Sequence, residues 1–152
     1  MNKPLIVNKE KVIDATQQEI WEVITTPKYF KDWMLVPAKA EDEKAIELGS
    51  KIYWTDDNDM VYLEGEVIAF VPNTKLVISL KDISWEQTVP KDSVTYEFHL
   101  AEAKNGTLIK FLLGDLSIDP EGSSWYRSYK ASDEIGSIEK VVNAIRKVAR
   151  DI

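Results

Sequence analysis

KVIDATQQEIWEVITTPKYFKDWM, residues 11–34, holds the switch in pattern that decides the fold. It closes a stretch, residues 3–14, that is rich in Ile and Val but alternates imperfectly, as an edge strand does. The period then changes. Thr16 is an N-cap residue type, and Glu19 three positions on completes a capping-box pattern. Ile20, Trp21, Val23 and Ile24 form the apolar stripe of a short helix. Thr25 and Thr26 stop it. Pro27 needs no amide hydrogen bond at a helix start, so PKYFKDWM reads as a second short helix anchored by Tyr29, Phe30 and Trp33. Two short helices in series suit an element that wraps a sheet edge.

Outward from that segment, residues 38–114 are strand-like. Residues 39–47 are acidic and predict an exposed strand. KIYWT (51–55) is followed by a polar loop at Asp56, Asp57, Asn58 and Asp59. MVYLEGEVIAFV (60–71), a Pro72-Asn73-Thr74 turn and KLVISLK (75–81) predict an antiparallel hairpin, with Leu76, Ile78 and Leu80 on one face. Residues 82–91 read as an excursion. DSVTYEFHLAEA (92–103) places Val94, Tyr96, Phe98 and Leu100 on one face and Thr95, Glu97 and His99 on the other. Asn105-Gly106 signals a second hairpin, with TLIKFLLGDL as the returning strand. Ser123 or Ser124 is then placed to cap one long helix over 124–150. Its stripe is Ile135, Ile138, Val142, Ile145, Ala149 and Ile152, with Gly136 marking a close approach or a bend.

This order predicts an α+β fold in one domain, residues 1–152. A curved antiparallel sheet of six or seven strands wraps around a long C-terminal helix, with two short helices after strand 1. Space left between helix and sheet is where a small apolar ligand fits.

The same residues resemble the START/Bet v 1-like (SRPBCC) superfamily, which implies its helix-grip fold, and within it the bacterial homologues of the Hsp90 ATPase activator's carboxy-terminal domain. The resemblance rests on Ala15, Ile20-Trp21, Pro27 and Trp33 in residues 11–34, on GEVIAFVPNTKLVISL (65–80), and on the hairpin with Asn105-Gly106-Thr107 at its turn. The family's usual ending is a leucine-rich run after a tryptophan. Trp125-Tyr126 and an Ile/Val-rich run stand there in this chain. The resemblance implies a hydrophobic-ligand binder, a cyclase- or hydrolase-like enzyme, or an Hsp90 co-chaperone-like module.

Composition narrows the chemistry. The 152 residues carry a net charge of −7, one histidine and no cysteine. That excludes disulfides, a thiolate nucleophile and cysteine-based zinc sites. Residues 1–120 hold 13 Lys, no Arg and 21 acids, a balance of −8, while residues 121–152 balance at +1. Such a surface repels nucleic-acid phosphates, so no nucleic-acid partner is expected. No apolar run reaches membrane-spanning length and no leader pattern precedes residue 11, so the expected location is the cytoplasm.

No residue set reads as catalytic, and no metal or cofactor site is expected. His99 falls in the outward phase. Glu66, His99 and Lys110 are the ionisable candidates for an enzymatic reading, and each also reads as surface charge. Glu64 and Glu66 share a phase with Ile68 and Phe70, which implies a mixed face or a slip in alternation. Arg127, at the start of the last helix, is placed to meet a ligand carboxylate or simply to face solvent. Five tryptophans in a chain this size give cavity walls as well as core. The expected lining is Trp33, Trp54, Tyr62, Glu66, Tyr96, Phe98, Phe111, Trp125 and Tyr129. The expected partner is a small apolar or amphipathic molecule, or a chaperone or other protein.

Overall fold

In the computed structural model, which describes residues 3–85 and 89–150, seven antiparallel strands form one open sheet. The strands are β1 (Val7–Ile13), β2 (Lys39–Ala40), β3 (Lys51–Thr55), β4 (Val61–Val71), β5 (Lys75–Asp82), β6 (Thr95–Ala103) and β7 (Gly106–Gly114), in the order β1-β7-β6-β5-β4-β3-β2. The helices are α1 (Gln17–Thr25), α2 (Phe30–Trp33), α3 (Gly122–Ala131) and α4 (Glu134–Arg150). This is the α+β helix-grip arrangement. Residues 86–88, within the excursion expected at 82–91, and Ile152, expected at the end of the last helix stripe, lie outside the described residues.

Because β1 and β2 lie at opposite edges of the sheet, α1 and α2 carry the chain from one edge to the other. They cross the sheet rather than wrap an edge. The capping box forms as its spacing requires: Thr16 Oγ1 accepts from the Glu19 amide at 3.0 Å, and the Glu19 carboxylate accepts from the Thr16 amide at 2.9 Å. Ile20, Trp21, Val23 and Ile24 are buried. Trp33 closes α2, its indole N–H donating to the Val23 carbonyl at 3.2 Å.

The strand expected over 39–47 shrinks to two residues, Lys39–Ala40. With few large apolar side chains there, the rest of that stretch has little to bury against the sheet. The mixed face of β4 has a geometric cause. A bulge interrupts its register with β5 between Val67 and Ala69. Leu63, Gly65 and Val67 face the helices before it; past the bulge Phe70 turns inward instead, paired with Leu76 and set edge to face against Trp21 at 5.1 Å.

The single long helix is two. Ser132 adopts extended backbone (φ −76°, ψ 165°), and the Asp133 carboxylate accepts from the Gly136 amide at 3.0 Å. That is the bond an N-cap residue makes, so a helix restarts there. The α3 helix begins after Glu121 with no side-chain cap, not at Ser123 or Ser124. Gly136 answers a close approach: a Cβ on it would stand 2.2 Å from the Asp133 carboxylate oxygen. Along α4, Ile135, Ile138, Val141 and Val142 are buried.

Candidate functional site

The inward faces of the strands and the helix break together set where space remains. The residues expected to form one cavity wall separate into three places. Trp33, Tyr96, Phe98 and Phe111 are packed core. Their rings sit 5.1–6.5 Å apart, mostly edge to face, and each residue is at most 2% exposed. That is the spacing of well-packed aromatic pairs, and it leaves no room between them.

Trp54, Tyr62, Trp125 and Tyr129 meet elsewhere, around a cleft of about 680 Å³. Trp54, Tyr62 and Leu63 supply the sheet side. Trp125, Ser128 and Tyr129 face them from α3. Leu35 and Val36, in the segment after α2, form a third side and are 44% and 40% exposed. The Trp54 indole is fixed by donation to the Val36 carbonyl at 2.8 Å, which ties the segment after α2 to β3. Behind Trp54 lies Gly65 of the neighbouring strand. A Cβ there would meet Ile78, Ile52 and the Trp54 ring at 2.8, 3.0 and 3.2 Å, so the close fit of that indole to the sheet depends on the glycine.

Glu66 is in neither group. It lies on the outer face of the sheet, opposite Lys51 and Ser79 in register, beside a separate cavity of about 400 Å³. The alternation of β4 before its bulge puts it there. His99 and Lys110 also face outward. His99 is half-buried with Nε2 2.8 Å from a Glu97 carboxylate oxygen, and Lys110 is exposed, 3.8 Å from Glu10. None of the ionisable candidates for an enzymatic role reaches the cleft. Arg127 is exposed and does not line it either.

Charged residues that the pattern reading passed over do reach the interior. Asp82, only 7% exposed, lines the cleft. It ends β5 in the same phase as Leu76, Ile78 and Leu80, so one more step of that alternation finds it. Its Oδ1 accepts from the Ser84 amide at 2.8 Å and the Ser84 hydroxyl at 2.6 Å. Glu134, 2% exposed, sits at the helix break, bonded to the Ser132 hydroxyl, with Lys9 Nζ 3.8 Å away. Lys9 itself donates to the Ser132 carbonyl. Asp119 accepts from the Trp85 indole at 2.6 Å. Sequence spacing gives no signal for the Lys9 and Trp85 contacts, which join distant parts of the chain.

The phenols record this setting. Burial raises the Tyr62 phenol above its ordinary range, and the negative charges of Asp82 and Asp56 add to the effect. Burial raises Tyr129 further, with Glu134 and Tyr62 contributing. Tyr96, wholly buried between the packed group and Tyr129, is raised well above its usual value, first by burial and then by Tyr129 and Glu134. All three stay protonated at neutral pH and can donate.

The acidic loop is a hydrogen-bonded turn. Asp56 Oδ1 accepts from the Asn58 and Met60 amides at 2.8 and 3.0 Å. Among the described residues no group of three or more His, Asp or Glu side chains is placed to hold a metal ion. Among them, too, no helix is long and apolar enough to cross a membrane.

Comparison with known proteins follows the fold. The family described as activator of Hsp90 ATPase homolog 1-like protein matches residues 14–128, so the match ends inside α3 and leaves α4 outside it. No curated protein matches in sequence. Among solved structures, protein NE0264 from Nitrosomonas europaea superposes with a TM-score of 0.68 at 14% identity, covering 97% of this chain and 99% of its own. A solution structure from Cytophaga hutchinsonii gives 0.66 at 18% identity, covering 98% and 99%. The Aha1 dimer from Colwellia psychrerythraea gives 0.55 at 18% identity, covering 82% and 90%. At these identities the likeness is one of fold.

Proposed function

Since the chain belongs to the family of activator of Hsp90 ATPase homolog 1-like proteins, we propose that it is a single-domain, cytoplasmic binding protein for a small hydrophobic molecule. The ligand enters between α3 and the β3–β4 side of the sheet. One observation carries this reading: a cleft of about 680 Å³ stays open between Trp54 and Tyr62 on one side and Trp125 and Tyr129 on the other. That volume falls within the roughly 300–1,000 Å³ typical of small-molecule sites. Tyrosine and tryptophan rings there offer apolar area plus phenol and indole donors for a polar group.

Native mass spectrometry of the protein purified from its own host tests the reading. The expected result is an added small-molecule mass that Trp125→Ala removes. A bare protein that also fails to take up any apolar probe overturns it.

A second reading is a chaperone-docking module. The exposed Leu35 and Val36 at the cleft rim favour it, set in a chain whose first 120 residues balance at −8. It predicts that Hsp90 is retained by the immobilised protein and released by Leu35→Asp. Retention that is indifferent to that change argues against this rim as the contact.

A further inference from the structure

We propose that the molecule held in this cleft is a cationic amphiphile, an apolar chain or ring system bearing an amine or quaternary ammonium group, rather than a carboxylate. This inference rests on the ligand-binding reading above and names its ligand class. The charged side chains lining the cleft are Asp82 and Glu121, and no lysine or arginine lines it among the described residues. Arg127, the residue suited by sequence position to a ligand carboxylate, is exposed and outside it.

The placement of Asp82 gives this charge its effect. The residue is 7% exposed and opposite Leu63 in register, and its unbonded carboxylate oxygen is left to the solvent of the cleft, where a ligand reaches it. Ser84 bonds to Oδ1 through both amide and hydroxyl, and no described residue bonds to Oδ2. A ligand ammonium would complete that carboxylate with a charge-assisted contact, whereas a ligand carboxylate would meet a like charge. The other buried acid near this end, Glu134, already has Lys9 3.8 Å away and needs no further cation.

Aromatic walls favour the same sign. Trp54, Tyr62, Trp125 and Tyr129 all line the cleft, and tryptophan and tyrosine faces attract cations within about 6 Å of the ring centroid. Burial first, and then Asp82 and Asp56 for Tyr62 and Glu134 for Tyr129, raise these two phenols, in keeping with the acidic lining.

Tryptophan fluorescence of the full chain, titrated at pH 7 with decyltrimethylammonium, 1-decanol and decanoate below their micelle concentrations, tests this. The three probes share a chain and differ in head charge. The ammonium should bind about tenfold tighter than the alcohol, with decanoate weakest, a spread that one close ion pair and cation–π contact can supply. Asp82→Asn with Glu121→Gln should bring the ammonium down to the affinity that the alcohol shows in the same variant. Glu121→Gln alone, on an exposed residue, should cost the ammonium about twofold, and it keeps the test readable if Asp82→Asn unfolds. Decanoate binding as well as the ammonium, or an ammonium preference that survives in the variants, overturns the cationic assignment and leaves the cleft a binding site. If none of the probes binds in a manner sensitive to Trp125→Ala, the binding reading itself fails and this inference falls with it.

Discussion

Two aromatic groups occupy the inner side of one sheet and meet different fates. Under β6 and β7, Tyr96, Phe98 and Phe111 close on one another and on Trp33 of α2. Under β3 and β4, Trp54, itself only 3% exposed, and Tyr62 line a cleft whose other side is Trp125 and Tyr129 of α3. Residue type does not separate the groups, since each contains both tryptophan and tyrosine. What separates them is the cover. The packed group is filled by α2 and lies within a core that includes the buried stripe of α4, while the open group lies under α3, which buries only Gly122 fully. The lesson is that an aromatic count predicts apolar interior, and the path of the covering helices decides whether that interior is core or cleft.

The largest effect should come from the packed side. Phe98→Ala should cost about 3–5 kcal/mol, because a fully buried ring leaves a cavity that its neighbours cannot close. For a chain of this size that lowers Tm by roughly 10 °C. Trp125→Ala should cost about 1 kcal/mol in the same melt, since its ring is only part-buried, yet it should abolish uptake of an apolar probe. Equal destabilisation by the two would erase the distinction between core and cleft.

Between these extremes stands Gly65, whose backbone carries Trp54 against the sheet. Gly65→Ala should destabilise by about 1–3 kcal/mol, because the new methyl has to displace Ile78, Ile52 or the indole. It should also weaken probe binding, since the displaced ring is a wall of the cleft. Unchanged binding with reduced stability would show that the cleft tolerates a moved Trp54. Ser128→Phe gives the converse. Ser128 is exposed on α3 and lines the cleft, so a phenyl ring there should block the probe with under about 0.5 kcal/mol change in stability.

Much of this fold is legible in the sequence because its signals are local. Thr16 and Glu19 form their box, Val94 to Leu100 alternate cleanly, and the outward phase of His99 follows from two-residue periodicity. The break between α3 and α4 was also written locally. Ser132-Asp133 are helix-capping residue types, but the apolar stripe running through them reads as one continuous helix. The site was legible only in part. Trp54, Tyr62, Trp125 and Tyr129 were in view, and Asp82 lay one step further along a strand already in phase. Their separation from Trp33, Tyr96, Phe98 and Phe111 was not, because it depends on which helix covers which strand. Glu66 was misplaced for a related reason: a bulge at Ile68 shifts the phase of β4, and that bulge is set by pairing with β5.

A last effect, confined to stability, concerns how the covering helix is held on the packed side. Arg146 of α4 donates to both Glu19 carboxylate oxygens, at 2.6 and 2.7 Å, and to the Asp14 carbonyl at 3.0 Å. This pair lowers the Glu19 carboxyl to about 2 from 4.5, the Arg146 hydrogen bonds being the largest cause. A carboxyl lowered on folding contributes stability that is full above about pH 4.5 and is lost as pH falls through about 2. Both side chains are about one-third exposed, so solvent screening holds the contribution to about 1 kcal/mol. Glu19→Gln keeps a side chain able to complete the capping box and removes the charge together with one of the two acceptors that Arg146 uses. The variant should therefore be less stable than the wild type by about 1 kcal/mol at pH 7 and equal to it below pH 2, as read by denaturant melts across that range. Because the pair fastens α4 to α1 and not α3 to β3, probe uptake in the cleft should not change. A variant that loses uptake with the charge would mean that packed and open sides move together, and the contrast between them would have to be redrawn.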